Sequence, residues 1–317
     1  MRIEYPDRES WLASRKLTIS ASGVATICGA NPYQSPYALW AAKTGRVPEF
    51  EGSIASRVGI ALEGLLTDLY EEEAGCALHD PGDWTVWSHR DHSWFRCTPD
   101  RLLLDEDGSI RAVVELKTIG ERVAQQLRDG EPPLAYQVQL QAQMEILDCD
   151  HGELACLIGN REFLRFPFER NPKFARAMMG RVLDFYDCIQ NDEPPEVDAT
   201  YSTAQTLAAL HPDDNGETVT LAPVQVCWVT ELERIKQDIK KLEEAQILMQ
   251  NRLREAIGDN AFAAADGVVV TLKTQERKGY LKIDSDKRVL VEGAGVPFAE
   301  TKPSKFRVMR VKKEFDK

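Results

Sequence analysis

The stretch CTPDRLLLDEDGSIRAVVELKT, residues 97–118, reads as two apolar strands joined by a tight acidic turn. Residues 93–104 and 110–118 are the arms, and Asp107-Gly108 is a dipeptide suited to the tip of a hairpin. Asp100 opens the first arm, while Glu115 interrupts an otherwise apolar second arm. Lys117 follows two residues later and projects to the same face as Glu115, because side chains alternate along a strand.

A turn at 105–109 sets Asp100 and Glu115 nearly opposite each other. Two carboxylates about 4 Å apart repel by roughly 4 kcal/mol at an effective dielectric of about 20. Such a pair must share a proton or bind a cation. Hard oxygen ligands beside an open edge suit Mg²⁺, with Mn²⁺ as a substitute. A metal held there could activate water and stabilise charge developing on a phosphodiester. Lys117 could orient the nucleophile or stabilise that same charge. An acidic strand start beside an exposed Glu/Lys face would produce the same local pattern.

Around this hairpin, residues 1–190 alternate helical and strand patterns. SIASRVGIALEGLLTDLYEEEAG carries Val58, Ala61, Leu62, Leu65 and Leu69 as a helical stripe, and Gly75 ends it. PPLAYQVQLQAQMEIL places Tyr136, Leu140, Met144 and Leu147 on one face of a second helix. GELACLIGN and REFLRFPFE form another hairpin, and KFARAMMGRVLDFYDCI a closing helix. This order predicts an α/β class with a central mixed β-sheet flanked by helices.

From 191 to 223 the composition turns acidic and proline-containing, without Lys or Arg, the pattern of a linker. The segment 224–317 reads as a helical arm with a small β tail. In the arm, Leu232, Ile235, Ile239, Leu242, Gln246, Met249 and Leu253 alternate steps of three and four, a coiled-coil-like seam with one polar member. Strand-like GVVVTLK and SKFRVMRVKK follow. Residues 302–317 hold seven basic residues (Lys302, Lys305, Arg307, Arg310, Lys312, Lys313 and Lys317) against Glu314 and Asp316.

The 317 residues and net charge of −12 argue against a generic basic nucleic-acid coat, but leave room for a local basic groove. The seven cysteines include no C-x-x-C pair, so neither a zinc ribbon nor a disulfide framework is indicated. No phosphate-cradling G-x-x-x-x-G-K-[ST] loop occurs. The N-terminus lacks an apolar leader and no run reaches membrane-spanning length, so a cytoplasmic, non-membrane location is expected. His89 and His92 lack further ligands at zinc spacing, and Trp84, Trp87 and Trp94 fit packing better than base stacking.

With these residues in view, CTPDRLLL…VVELKT resembles the signature of the PD-(D/E)-x-K nucleases. SRKLTISASGVATICG, RVGIALEGLL and YQVQLQAQM narrow the resemblance to the phage lambda exonuclease / YqaJ viral recombinase family, with four motifs in family order over residues 11–145. The resemblance implies a nuclease core over 1–190. Glu63, Asp100 and Glu115 would surround the metals, with the Leu116 carbonyl as an added ligand, Lys117 as catalytic lysine and Gln139 as the motif glutamine. Arg15, Ser22 and Thr98 would cradle a DNA 5′-phosphate, and Tyr136 would lie near the site. Ser22 also reads as a plain helix N-cap, Arg15 as an exposed arginine, Gln139 as a polar face residue and Glu63 as a boundary glutamate.

The activity so implied is metal-dependent 5′-to-3′ digestion of one strand at double-stranded DNA ends, leaving 3′ overhangs for recombination. A homo-oligomeric ring, a single-strand annealing partner and a phage or prophage origin in a bacterial host accompany it. The readings from other classes are a DNA-end-binding scaffold without turnover and a repair or defence endonuclease on the same core.

Overall fold

The computed structural model describes residues 1–16, 18–49, 52–265, 267–277, 281–283, 298–300 and 304–313. The chain divides into two compact units, Met1–Asn215 and Gly216–Lys317. The first opens with β1 (Arg2–Glu4), α1 (Arg8–Arg15), β2 (Ile19–Ser20), α2 (Ala21–Ile27), α3 (Pro36–Lys43), α4 (Ile54–Ala74), β3 (Thr85–Ser88) and β4 (Phe95–Cys97). The hairpin β5 (Arg101–Leu104) and β6 (Ile110–Ile119) follows, then α5 (Glu121–Arg128) and α6 (Leu134–Leu147). A second hairpin, β7 (His151–Ile158) and β8 (Glu162–Glu169), leads to α7 (Pro172–Gln190) and α8 (Tyr201–Leu210).

Strands β5-β6-β7-β8 form a mixed sheet, with β6 parallel to β7 and the outer pairs antiparallel. The first hairpin turns where its sequence indicates. Gly108 adopts φ +83°, the left-handed conformation that glycine tolerates, and Asp107 accepts from both the amide and hydroxyl of Ser109. The arm read as 93–104 is not one strand, however. It breaks at Thr98-Pro99-Asp100 into β4 and β5, which belong to different sheets, and Pro99 has no N–H to give to a ladder.

Alternation on β6 positions the site. Ala112, Val114 and Leu116 pack with Leu66 and Tyr70 of α4, whereas Val113 joins Val138, Leu140 and Met144 of α6. Glu115 and Lys117 share Val113's parity and so face α6. Helix α6 lies close to the sheet: a Cβ on Gly152 of β7 would come within 2.9 Å of Leu140. In α4 the stripe differs from the expected one. Leu66 and Tyr70 are buried, while Val58 and Leu65 remain exposed; the helix meets the sheet through a face rotated by one position.

The segment 191–223 is not a linker throughout. Helix α8 lies inside it, and Leu207 and Leu210 pack against the main core. Thr203 donates to the Ser35 hydroxyl (2.8 Å), so the first unit extends past the expected boundary at 190 to Asn215.

The second unit comprises α9 (Pro223–Ile257), β9 (Phe262–Ala265), β10 (Val268–Arg277), β11 (Leu281–Ile283), β12 (Phe298–Glu300) and β13 (Ser304–Lys313). Strands β13-β10-β9 form one sheet and β11-β12 another. Ile257, Val270 and Leu272 make a small core with Met309 against it. Of the basic tail, Lys302 and Lys317 lie outside the described residues. Lys305, Arg307, Lys312 and Lys313 are placed on β13 by backbone only, and Arg310 is exposed. Among the described residues no helix is long and apolar enough to cross a membrane.

Candidate active site

At the start of β5, Asp100 turns back toward β6 and accepts a hydrogen bond from the Leu116 amide (2.8 Å). Glu115 is buried, at 2% exposure, and a buried carboxylate needs partners. It finds three. Lys117 and Gln139 donate to Oε1, and Gln143 donates to Oε2 (2.6 Å). Lys117 also lies over the Tyr136 ring, 5.6 Å from its centroid. The carboxylate and ammonium on one strand face are therefore matched by a polar stripe on α6, from Tyr136 through Gln139 to Gln143.

The electrostatics of the group are uneven. Burial, and next the charge of Glu115, push the Asp100 carboxyl up to about 8, against the pull of Lys117 and the Leu116 amide. Burial works against the Lys117 ammonium, but Glu115 and Asp100 outweigh it and hold its pKa above the ordinary value. Burial likewise raises Glu63, with Arg101 opposing and Glu115 adding to the rise. Glu63 stays at the flank: it acts on the pair through its field, and among the described residues no three His, Cys, Asp or Glu side chains converge as a metal-binding group.

Beside this cluster lies a cavity of about 160 Å³ lined by Arg15, Ser22 and Thr98, together with Gln139 and Gln143. The three residues expected to hold a phosphate are thus brought together, and the glutamines that hold Glu115 form a shared wall. The cap of α2 is Ser20, whose hydroxyl accepts from the Gly23 amide (3.2 Å). Ser22 does not open the helix; it sits in the first turn, with its hydroxyl 3.0 Å from that of Ser20.

Sequence reasoning missed several residues of this cavity. Lys43, at the end of α3, lines it with its side chain only 9% exposed. Its ammonium donates to the Arg15 carbonyl (2.9 Å) and pairs with Glu49 (3.3 Å). Burial lowers its pKa although Glu49 pulls the other way. Arg96, held by the Ser93 carbonyl and the Tyr5 hydroxyl, supplies a third cation. Trp11 lies under the Arg15 guanidinium (4.8 Å), and its indole N–H is buried without a partner. Among the described lining residues three are cations and none is a carboxylate. The signals were slight: Lys43 is the only charge in PYALWAAK, and Gln143 lies one turn after Gln139.

A mixed sheet carrying Asp100, Glu115 and Lys117, with a cationic cavity at its side, defines the α/β fold of the first unit. It resembles an alkaline exonuclease (LHK-Exo) from Laribacter hongkongensis at a TM-score of 0.50 and 20% identity, covering 58% of this chain and 93% of that one. Residues 10–150 match the YqaJ-like viral recombinase domain. Over 260 residues the chain is 24% identical to the uncharacterized protein YqaJ of Bacillus subtilis (strain 168), covering 80% of each.

Proposed function

We propose that the first unit is a metal-dependent deoxyribonuclease that digests one strand of duplex DNA from its 5′ end and leaves 3′ single strands for recombination. The observation that carries this reading is the shared wall. Gln139 and Gln143 touch both Glu115 and a carboxylate-free cavity containing Arg15, Lys43 and Arg96. A phosphate gripped in the cavity would hold a strand terminus beside the charged cluster, and arginine can grip it with two parallel hydrogen bonds.

The donor set fits a magnesium ion. Magnesium is commonly held by one or two carboxylates, with water and substrate phosphate completing its shell. Asp100, raised to about 8 by burial and by Glu115, is a carboxylate whose surroundings lack enough positive charge. Asp100, Glu115 and the Leu116 carbonyl would hold the ion, with Glu63 at the flank. Bound there, magnesium would lower the pKa of a water and offset charge on the scissile phosphate. The chain's own contribution is to orient and bind. Gln139 and Gln143 fix the Glu115 carboxylate, the Leu116 amide fixes Asp100, and the Lys117 ammonium remains charged and faces the same space. A ring-shaped homo-oligomer and a single-strand annealing partner fit this activity.

Incubating linear 5′-phosphorylated duplex and closed circular duplex with magnesium tests the proposal. Release of nucleotides from linear DNA alone, stopped by a chelator, is the expected result. Cutting of closed circles would favour an endonuclease, and DNA-end binding without turnover would favour a scaffold.

A further inference from the structure

Helix α9 runs for 35 residues, about 50 Å at ~1.5 Å per residue, and its seam is uncovered. Leu232 is 53% exposed, Ile239 51% and Leu242 69%. An apolar seam of this length on a soluble helix calls for a partner, and the distribution of charge beside it says which. In heptad terms Leu232, Ile239, Gln246 and Leu253 occupy a, while Trp228, Ile235, Leu242 and Met249 occupy d. The flanking g positions are Glu231, Asp238, Ala245 and Arg252, and the e positions are Val229, Lys236, Glu243 and Gln250. These flanking positions select partner and orientation in coiled coils.

Two copies laid parallel and in register would pair each g with the e of the next heptad. Glu231 would meet Lys236 of the other copy, but Asp238 would meet Glu243, so attraction and repulsion cancel. Laid antiparallel with full overlap, g faces g and e faces e. Glu231 then meets Arg252, and Lys236 meets Glu243; by symmetry each contact occurs twice, and no like charges meet. Sliding that arrangement by one heptad brings either Lys236 or Glu243 opposite its own copy. Full overlap is therefore the one antiparallel register that makes both opposite-charge contacts and no like-charge one. It also sets Trp228 of one copy against Leu253 of the other. There the helix and Met309 of β13 already form a cleft, lined by Gln246, Met249, Leu253 and Met309, and Trp228 is 64% exposed.

We infer that the partner of α9 is a second copy of this chain, bound as a fully overlapped antiparallel coiled coil. The inference is independent of the nuclease reading. Full-length protein measured by light scattering should have a larger mass than the Leu242→Asp variant. Lys236→Glu replaces two attractive contacts with two repulsive ones and should weaken the association roughly tenfold; Lys236→Glu with Glu243→Lys should restore it. Orientation is read by cross-linking in a Cys227→Ser background. Mixing the Ile235→Cys and Gln246→Cys proteins should give a mixed disulfide across one a–d layer, whereas Gln246→Cys alone should give none. Equal masses for wild type and Leu242→Asp, failure of the double charge swap to rescue, or self-cross-linking of Gln246→Cys would each overturn the inference.

Discussion

Replacing Asp100 by Asn should abolish turnover while making the metal-free protein more stable. Asp100 is held at about 8 instead of 3.8 by burial and by the neighbouring Glu115 charge. The difference of about 4 units, at ~1.4 kcal/mol each, sets an upper figure of about 6 kcal/mol for the cost of keeping it ionised in the fold. Asp100 retains partial exposure, and solvent screening discounts that figure by half or more, leaving about 2–3 kcal/mol. Asn keeps an oxygen for the Leu116 amide, so the anchoring hydrogen bond survives. The sign follows from proton linkage. With the folded pKa above the unfolded one, the folded state binds more protons, and wild-type stability falls as pH rises from about 4 to about 8. Thermal unfolding in chelator at pH 9 should therefore show Asp100→Asn melting about 5–10 °C higher, with the gap closing toward pH 4. Magnesium should stabilise wild type more than the variant and narrow the difference. An Asp100→Asn protein that melts lower than wild type in chelator at pH 9 would instead make Asp100 a structural carboxylate.

Arg15→Ala and Lys43→Met should each shrink the rate advantage of a 5′-phosphorylated duplex over a 5′-hydroxyl one; paired digestions read this, and an unchanged ratio would remove the cavity from end recognition. Gly152→Ala should cost about 1–3 kcal/mol of stability through overpacking, since the new methyl meets Leu140 at 2.9 Å; chemical denaturation gives the value. A chain ending at Asn215, the limit of the first compact unit, should retain cooperative unfolding and some digestion of linear duplex. Loss of both would show that the second unit completes the first.

What could be read in the sequence was local. Glu115 and Lys117 lie on one strand of a hairpin, where alternation fixes the face they share, and Asp100 immediately precedes the other strand, opposite Glu115. Gln139 came through family resemblance, whereas Gln143, an equal partner of Glu115, carried no signal beyond helical spacing. The cavity was only partly legible because it is assembled from α1, β2, α2, α3, β3, β4 and α6: Lys43 and Arg96 lie 28 and 81 residues from Arg15 (43 − 15 and 96 − 15). Helix α8 was hidden for a different reason. Its segment is acidic and holds prolines, and what fixes it, the Thr203–Ser35 contact with Leu207 and Leu210 on the core, spans more than 160 residues. In α4, apolar residues lie on more than one side of the helix, so periodicity alone could not choose the face that meets β6.

In the proposed function, the Asp100–Glu115–Lys117 cluster hydrolyses DNA at an end held in the adjoining cavity. The most direct measurement is the initial rate of nucleotide release from a 5′-phosphorylated linear duplex in magnesium, for wild type and Lys117→Ala. Circular dichroism would confirm equal folding of the two. A loss of at least about two orders of magnitude, the scale of removing one preorganised electrostatic group, is expected. Equal rates from equally folded proteins would remove Lys117 from the chemistry and with it the catalytic role of the cluster.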